Sequence, residues 1–284
     1  MENERFFRLG LVGHPLEHSL SPVIHSCALE AAGLSGEYCL YPVPPLPSGS
    51  QGLQALLDRL RHGELHGLNV TIPHKQSVLR LLDWQEAAAR RIGAVNLLYY
   101  RDGKLVGDNT DAAGFQLDLL RFMTANNINC GQALVLGAGG AARAVTSALL
   151  DDGWQVTIAA RRPWQGWAIA ENLLPKKIEI IPLAAGRLSA LHGVGLVVNA
   201  TPAGMEPHFE GSPWPADVAL PAGSAVYDLV YKPADTRLLQ TARAAGLPAS
   251  GGLGMLVEQA ALSFERWTGR QAPRLAMRQA AGLA

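Results

Sequence analysis

Apolar positions follow two rhythms along this chain. Residues 7–12, 38–43 and 68–72 are short apolar runs that predict strands. Leu53, Leu56, Leu57 and Leu60 instead keep the three- and four-residue spacing of an amphipathic helix. Ser21-Pro22 predicts a helix start, since Ser can cap and Pro fits the first turn, and Gly33 predicts its end. Val78, Leu79 and Leu82 predict another helix, and residues 97–100 and 104–106 flank the hairpin signal Asp102-Gly103. After residue 112 the pattern becomes more regular. Strands are expected at 133–137, 156–160, 178–181, 196–199 and 225–230, with a helix running to Leu150 after the first and a long periodic helix at 255–267. Strands separated by helices predict parallel βαβ units and a doubly wound sheet.

Composition narrows the picture. The 284 residues suit two domains, and 48% hydrophobic with 17% charged residues excludes a disordered chain. Lys+Arg and Asp+Glu are 24 each, so the basic excess of a nucleic-acid binder is missing. Cys27, Cys39 and Cys130 are too few and too scattered for a disulfide framework, and no CxxC pair suggests structural zinc. The first ten residues lack the apolar core of a secretory signal, and no stretch offers about 18 uninterrupted apolar residues. A cytoplasmic protein with reduced thiols, and with neither membrane nor nucleic acid as partner, is the expectation.

Gly137-Ala138-Gly139-Gly140-Ala141-Ala142 fits G-x-G-x-x-A between a predicted strand and a predicted helix. In that setting the first glycine allows the tight turn, the second lets a pyrophosphate approach, and the small third position lets helix and strand pack. The other reading is a tight turn without ligand. The next strand ends in Ala159-Ala160-Arg161-Arg162, where an NAD site would carry a carboxylate for the ribose 2′-hydroxyl. Asp151 and Asp152 precede that strand, at its wrong end. Guanidinium groups suit a 2′-phosphate, so NADP is the expected cofactor, unless both arginines are simply solvated.

The first part carries clustered polar residues. Ser19 and Ser21, two apart, could hold a carboxylate, or Ser21 could merely cap its helix. In Asn69-Val70-Thr71-Ile72-Pro73-His74-Lys75, Asn69 and Thr71 share one strand face, and Lys75 falls at a helix start, where its charge opposes the dipole. Asp108-Asn109-Thr110-Asp111 precedes a further helix, which Thr110 or Asp111 could cap. His14-Pro15-Leu16-Glu17-His18 matches the zinc-protease pattern H-x-x-E-H, but Gly13 and Pro15 predict a loop there, so no metal is expected.

VGHPLEHSLSPVIH, NVTIPHK, GAVN, GDNTDAAGF, LGAGGAARA, VNATPAGM, YDLVYKPADT and GLGMLVEQA occur in this order from about Leu11 to Ala261. Together they resemble the shikimate dehydrogenase family. The resemblance implies an α/β fold with an N-terminal substrate-binding domain over 1–112, completed by C-terminal helices in 250–284, and a Rossmann-type NADP domain over 113–249. It implies reversible NADPH-dependent reduction of 3-dehydroshikimate to shikimate, a step of aromatic amino-acid biosynthesis. Lys75 and Asp111 match the catalytic pair. Ser19, Ser21, Thr71, Asn96, Asp111, Tyr231 and Gln259 match substrate-binding positions. Gly137, Ala138, Gly139, Gly140, Ala141, Ala160, Arg161, Arg162, Leu229 and Gly252 match cofactor-binding positions. A homodimer is one assembly compatible with the resemblance. Where the family often has Asn-Arg-Thr, this chain has Ala160-Arg161-Arg162, exchanging an Asn hydrogen bond for a second positive charge.

Overall fold

The computed structural model of the chain describes residues 5–207 and 209–283. Residues 1–4, part of the stretch read above against a secretory signal, lie outside the described residues. The chain divides into two compact units. One holds the described residues up to Gly114 and again from Leu256, and the other runs from Phe115 to Met255.

The first unit is built from β1 (Phe7–Gly13), α1 (Ser21–Ala31), β2 (Gly36–Pro42), α2 (Ser50–Arg61), β3 (Gly67–Val70), α3 (His74–Ser77), β4 (Trp84–Gln85), α4 (Ala87–Ile92), β5 (Leu97–Arg101), β6 (Lys104–Asp108) and the start of α5 (Asp111–Asn126). Its strands form one six-stranded sheet in the order β2-β1-β3-β5-β6-β4. Pro22 lies in the first turn of α1, and Gly33, at φ +66°, follows its last turn. Asp102 and Gly103 both take positive φ, which turns β5 into β6 with the twist of the strands. Two expectations need correction. The strand expected over 68–72 stops at Val70, because the Thr71 carbonyl accepts from the His74 amide in a turn and Pro73 has no amide to offer a ladder. Val78 and Leu79 lie in a 3-10 turn, and Leu82 is already extended, so no regular helix covers them.

The second unit is built from the rest of α5, β7 (Gln132–Leu136), α6 (Gly140–Asp151), β8 (Gln155–Ala160), α7 (Pro163–Asn172), β9 (Ile178–Pro182), α8 (Ala185–Leu188), β10 (Val194–Asn199), β11 (Ala225–Asp228), α9 (Arg237–Ala244) and β12 (Ala249–Gly251). All five strand pairs are parallel, and the order is β12-β11-β10-β7-β8-β9. Counted from β7, this is the doubly wound order with its switch between β7 and β10. Helices cover both faces of such a sheet, so β7 and β10 read as nearly continuous apolar runs. Leu134, Leu136, Val197 and Val226 share a core with Leu238, Leu239 and Ala242 of α9.

The chain re-enters the first unit within α10 (Leu253–Thr268) and ends in α11 (Arg274–Ala280). Val257, Ala260, Ala261, Phe264 and Trp267 of α10 complete the core formed by β1, α1 and β2. Gly114 exists for this contact, since a Cβ there would lie 2.7 Å from the Gln259 amide nitrogen. Among the described residues, no helix is long and apolar enough to cross a membrane.

His25 is the unusual member of that core. Its ring stacks on Tyr38 with centroids 4.3 Å apart, and both ring nitrogens are buried without a hydrogen-bond partner among the described residues. Burial depresses its pKa from 6.5 to about 3, with the neighbouring Asn69 amide offsetting only part of this. The folded state therefore holds a neutral imidazole, while the unfolded chain takes up a proton once the pH falls below 6.5. Stability is full above that pH and declines toward pH 3, by about 2 kcal/mol between pH 7 and pH 5. Urea melts at those two pH values should show that loss, and His25→Phe should remove most of it. An unchanged loss in the variant would clear His25 of the effect.

Candidate active site

The polar clusters of the first unit collect at one end of its sheet, and strand direction explains why. β1, β3 and β6 run parallel, so the loops after them emerge together, and Asn96 joins them because it precedes the antiparallel β5. Those loops and the first turns of the helices they lead into carry Ser19 and Ser21, Thr71 and Lys75, and Asn109 to Asp111. Ligands of open α/β sheets bind at the carboxyl ends of such strands.

Lys75 and Asp111 form a close ion pair. Lys75 Nζ donates to Asp111 Oδ2 at 2.6 Å, with side-chain exposures of 15% and 5%. Asn96 Nδ2 donates to Asp111 Oδ1 at 2.8 Å and lies 3.3 Å from Gln259 Oε1. Backbone carbonyls brace the Lys75 side of the pair. The Lys75 carbonyl accepts from the Val95 amide at 2.7 Å, and neighbouring His74 donates from Nε2 to the Val43 carbonyl at 2.8 Å. An ammonium has three N–H donors, and Asp111 takes one, leaving two for a ligand oxygen.

The α5 start differs from expectation. Neither Thr110 nor Asp111 caps it. Asn109 Oδ1 accepts from the amides of Asp111 and Ala112, at 3.0 and 3.3 Å. The Asp111 carboxylate is thereby left for Lys75 and Asn96. Thr110 Oγ1 accepts from Asn96 Nδ2 at 2.9 Å and donates to the Gln259 carbonyl. Ser263 Oγ lies 3.2 Å from Thr110 Oγ1 and accepts from Asn69 Nδ2, whose Oδ1 accepts from the Tyr38 hydroxyl at 2.9 Å. This buried network, with Thr110, Ser263 and Tyr38 in it, escaped the sequence reading. One signal was present: Gln259 and Ser263 stand four apart, one turn along the same face of α10.

Ser19, Ser21 and Thr71 lie outside this hydrogen-bonded set, in the segments that follow β1 and β3 at the same sheet end. Ser21 is the first residue of α1 and provides no side-chain cap, so the capping alternative falls away. Ser19 Oγ accepts from the Ser21 amide at 3.2 Å. His14 to His18 form the loop between β1 and α1, so the two histidines do not share a helix face.

In the second unit the glycine turn follows β7, at the switch point of the sheet. Gly137 has φ +107°, a conformation that disfavours any side chain, and its Cβ would come within 2.9 Å of Thr201 Cγ2. A Cβ on Gly139 would meet nothing within 4 Å, so the backbone is approachable just before Gly140 opens α6. The first-turn amides of α6 have no helical partners and favour an anion. Ala141 completes the small-residue turn. These residues fit a dinucleotide pyrophosphate. Ala160, which ends β8, is buried, and Arg161 and Arg162 beyond it are exposed with no carboxylate beside them in sequence. Leu229 follows β11, and Gly252 packs on its backbone so tightly that a Cβ could not be inserted. Tyr231 is half-buried two residues beyond Leu229.

A parallel sheet in doubly wound order, with a glycine turn at its switch point, places this chain among the Rossmann-type dinucleotide-binding proteins. Residues 11–98 match the shikimate dehydrogenase substrate binding domain, and residues 252–281 match the shikimate 5'-dehydrogenase C-terminal domain. The shikimate dehydrogenase (NADP(+)) of Salinibacter ruber is 44% identical over 279 residues, 94% of each chain. The crystal structure of shikimate 5-dehydrogenase from Thermus thermophilus, in complex with NADP(H) and shikimate, is similar with a TM-score of 0.83 and 41% identity, covering 97% of this chain and 98% of that one. Quinate dehydrogenase from Corynebacterium glutamicum in complex with NAD is similar at a TM-score of 0.85 and 31% identity, covering 97% and 99%. The chain belongs to the shikimate dehydrogenase family.

Proposed function

We propose that this chain is an NADP-dependent shikimate dehydrogenase, reducing 3-dehydroshikimate reversibly to shikimate. The observation that carries the reading is the Lys75–Asp111 pair, with Asp111 held from its other side by Asn96. NADPH, when bound, supplies the hydride. Lys75 donates a proton to the oxygen that becomes an alkoxide as the ring carbonyl is reduced, and in oxidation it takes that proton back. Asp111 holds the ammonium in place and shares the proton task. Thr71, Asn96 and Gln259 bind ring hydroxyls, Ser19 and Ser21 hold the substrate carboxylate, and Tyr231 adds a substrate contact. Gly137 to Ala141 hold the pyrophosphate, Ala160 to Arg162 the adenosine 2′-phosphate, and Leu229 and Gly252 the nicotinamide end. The cytoplasm is the site of action we infer, and a homodimer is the assembly to test by sedimentation equilibrium.

Following NADPH absorbance with shikimate and with quinate, each with NADP and with NAD, tests the reading. Turnover should be fastest with shikimate and NADP. A preference for quinate and NAD would overturn it.

Replacing Ser19 and Ser21 together by Ala should raise the KM for shikimate and leave the affinity for NADP unchanged. The one bond lost at the start of α1 is that of Ser19 Oγ with the Ser21 amide, worth about 1 kcal/mol, so the melting temperature should fall by only a few degrees. A variant that melts early with an unchanged KM would show the hydroxyls to be structural.

A further inference from the structure

The motifs VNATPAGM and YDLVYKPADT enter the reading above only through Leu229 and Tyr231, yet a buried carboxylate joins them. Asp228, the last residue of β11, is fully buried. Its Oδ1 accepts from Asn199 Nδ2 at 2.8 Å and from the Val230 amide at 3.0 Å, and its Oδ2 accepts from Thr236 Oγ1 at 2.6 Å. Asn199 ends β10. Its Oδ1 accepts from the amide and hydroxyl of Thr201, and its carbonyl accepts from the Leu229 amide at 3.0 Å. Thr236 also caps α9, accepting from the Leu239 amide. The Val230 carbonyl takes the amide of Gly252, which follows β12. Segments leaving β10 and β11 thus meet at one side chain, and the segment after β12 joins them through the Val230 carbonyl.

We propose that Asp228, with Asn199 and Thr236, is a positioning clamp that fixes the backbone at Leu229, Tyr231 and Gly252 for hydride transfer. The inference rests on the roles given to those three residues in the proposed function. A carboxylate is an expensive choice for a junction with only a packing role, because burial disfavours its charge and apolar residues would hold a core as well. Burial does push the Asp228 pKa up, and the hydrogen bonds from Thr236, Val230 and Asn199 pull against it. Only an acceptor with two oxygens can take bonds from three separate donors and set the register among their segments. A misplacement of about 1 Å in a reacting pair costs on the order of 10²-fold in rate.

Asp228→Asn should lower kcat on that order, about 10²-fold, while the Kd of 2′,5′-ADP, which reports the adenosine half alone, stays unchanged. Amide hydrogen exchange should quicken over residues 199–203 and 229–231 and remain as in wild type over β7 and β8. Thr236→Val should lose about tenfold in kcat, and Thr236→Ser, which keeps the hydroxyl, should retain activity. If Asp228→Asn fails to fold, the contrast between Val and Ser at position 236 decides. Wild-type kcat in a folded Asp228→Asn protein, or a parallel loss of 2′,5′-ADP binding, would overturn the clamp. If the wild-type protein does not oxidise shikimate, the functional reading fails by itself. Exchange then judges the clamp alone, and unchanged rates over 199–203 and 229–231 would overturn it.

Discussion

Lys75→Ala is expected to lose about 10²–10⁴-fold in kcat, the usual worth of a general acid–base group, while the KM for shikimate changes little. Charge on the carbonyl oxygen develops only in the transition state, so a group serving that oxygen acts on kcat more than on ground-state binding. Lys75→Arg should rescue poorly, since a guanidinium does not release its proton near neutral pH. Asp111→Asn should also be slow. It leaves the nearly buried Lys75 ammonium without its counter-charge, at a cost of about 3–5 kcal/mol in stability, so melting must be followed beside kinetics. Because the two side chains share one 2.6 Å contact, the double variant should lose less than the product of the single losses. A folded Lys75→Ala enzyme with near-normal kcat and a raised KM would recast Lys75 as a substrate clamp.

Arg161→Ala is expected to raise the KM for NADP by roughly 10- to 100-fold, matching about 1.5–3 kcal/mol for a hydrogen bond to a charged group, and to spare the KM for NAD. Ala160 offers no side-chain donor to a 2′-phosphate: it is buried and lacks the amide of the common Asn-Arg-Thr pattern. Arg162 precedes α7 and is equally exposed, so it supplies the second positive charge and Arg162→Ala should act in the same direction. Steady-state kinetics with the two cofactors measures both effects. Equal changes for NADP and NAD would remove the arginines from cofactor choice.

Much of this was legible in the chain because it depends on local chemistry. The strands β7, β8 and β10 announce themselves as apolar runs closed by glycine, arginine or asparagine, and Gly137 takes positive φ in the turn after β7. Pro22 and Gly33 bracket α1 for equally local reasons. What escaped depends on partners distant in sequence. β12 is a three-residue edge strand whose only sign is its pairing with β11, and β4 has two residues. The 68–72 run looked like one strand, but the turn at Thr71 ends it. The cap of α5 was assigned one or two residues late, because Thr110 is drawn instead into contacts with Asn96 and Gln259, 14 and 149 positions away. Lys75 and Asp111 could be singled out one by one, but the bond between them spans 36 residues and three strands, which periodicity does not reveal.

The first unit is assembled from both ends of the chain, and this sets an order of events during synthesis. Once Met255 has left the ribosome, the second unit has every residue it needs. The first unit at that moment still lacks Phe264 and Trp267 for its core, together with Gln259 and Ser263 beside Asn96 and Thr110. Phe7 and Leu9 of its sheet and Ile24 of α1 must wait for the partners that α10 and α11 bring. A nascent chain stalled within those helices is therefore a finished dinucleotide-binding fold tethered to an open, sticky half-domain, which is where chaperones have most to do.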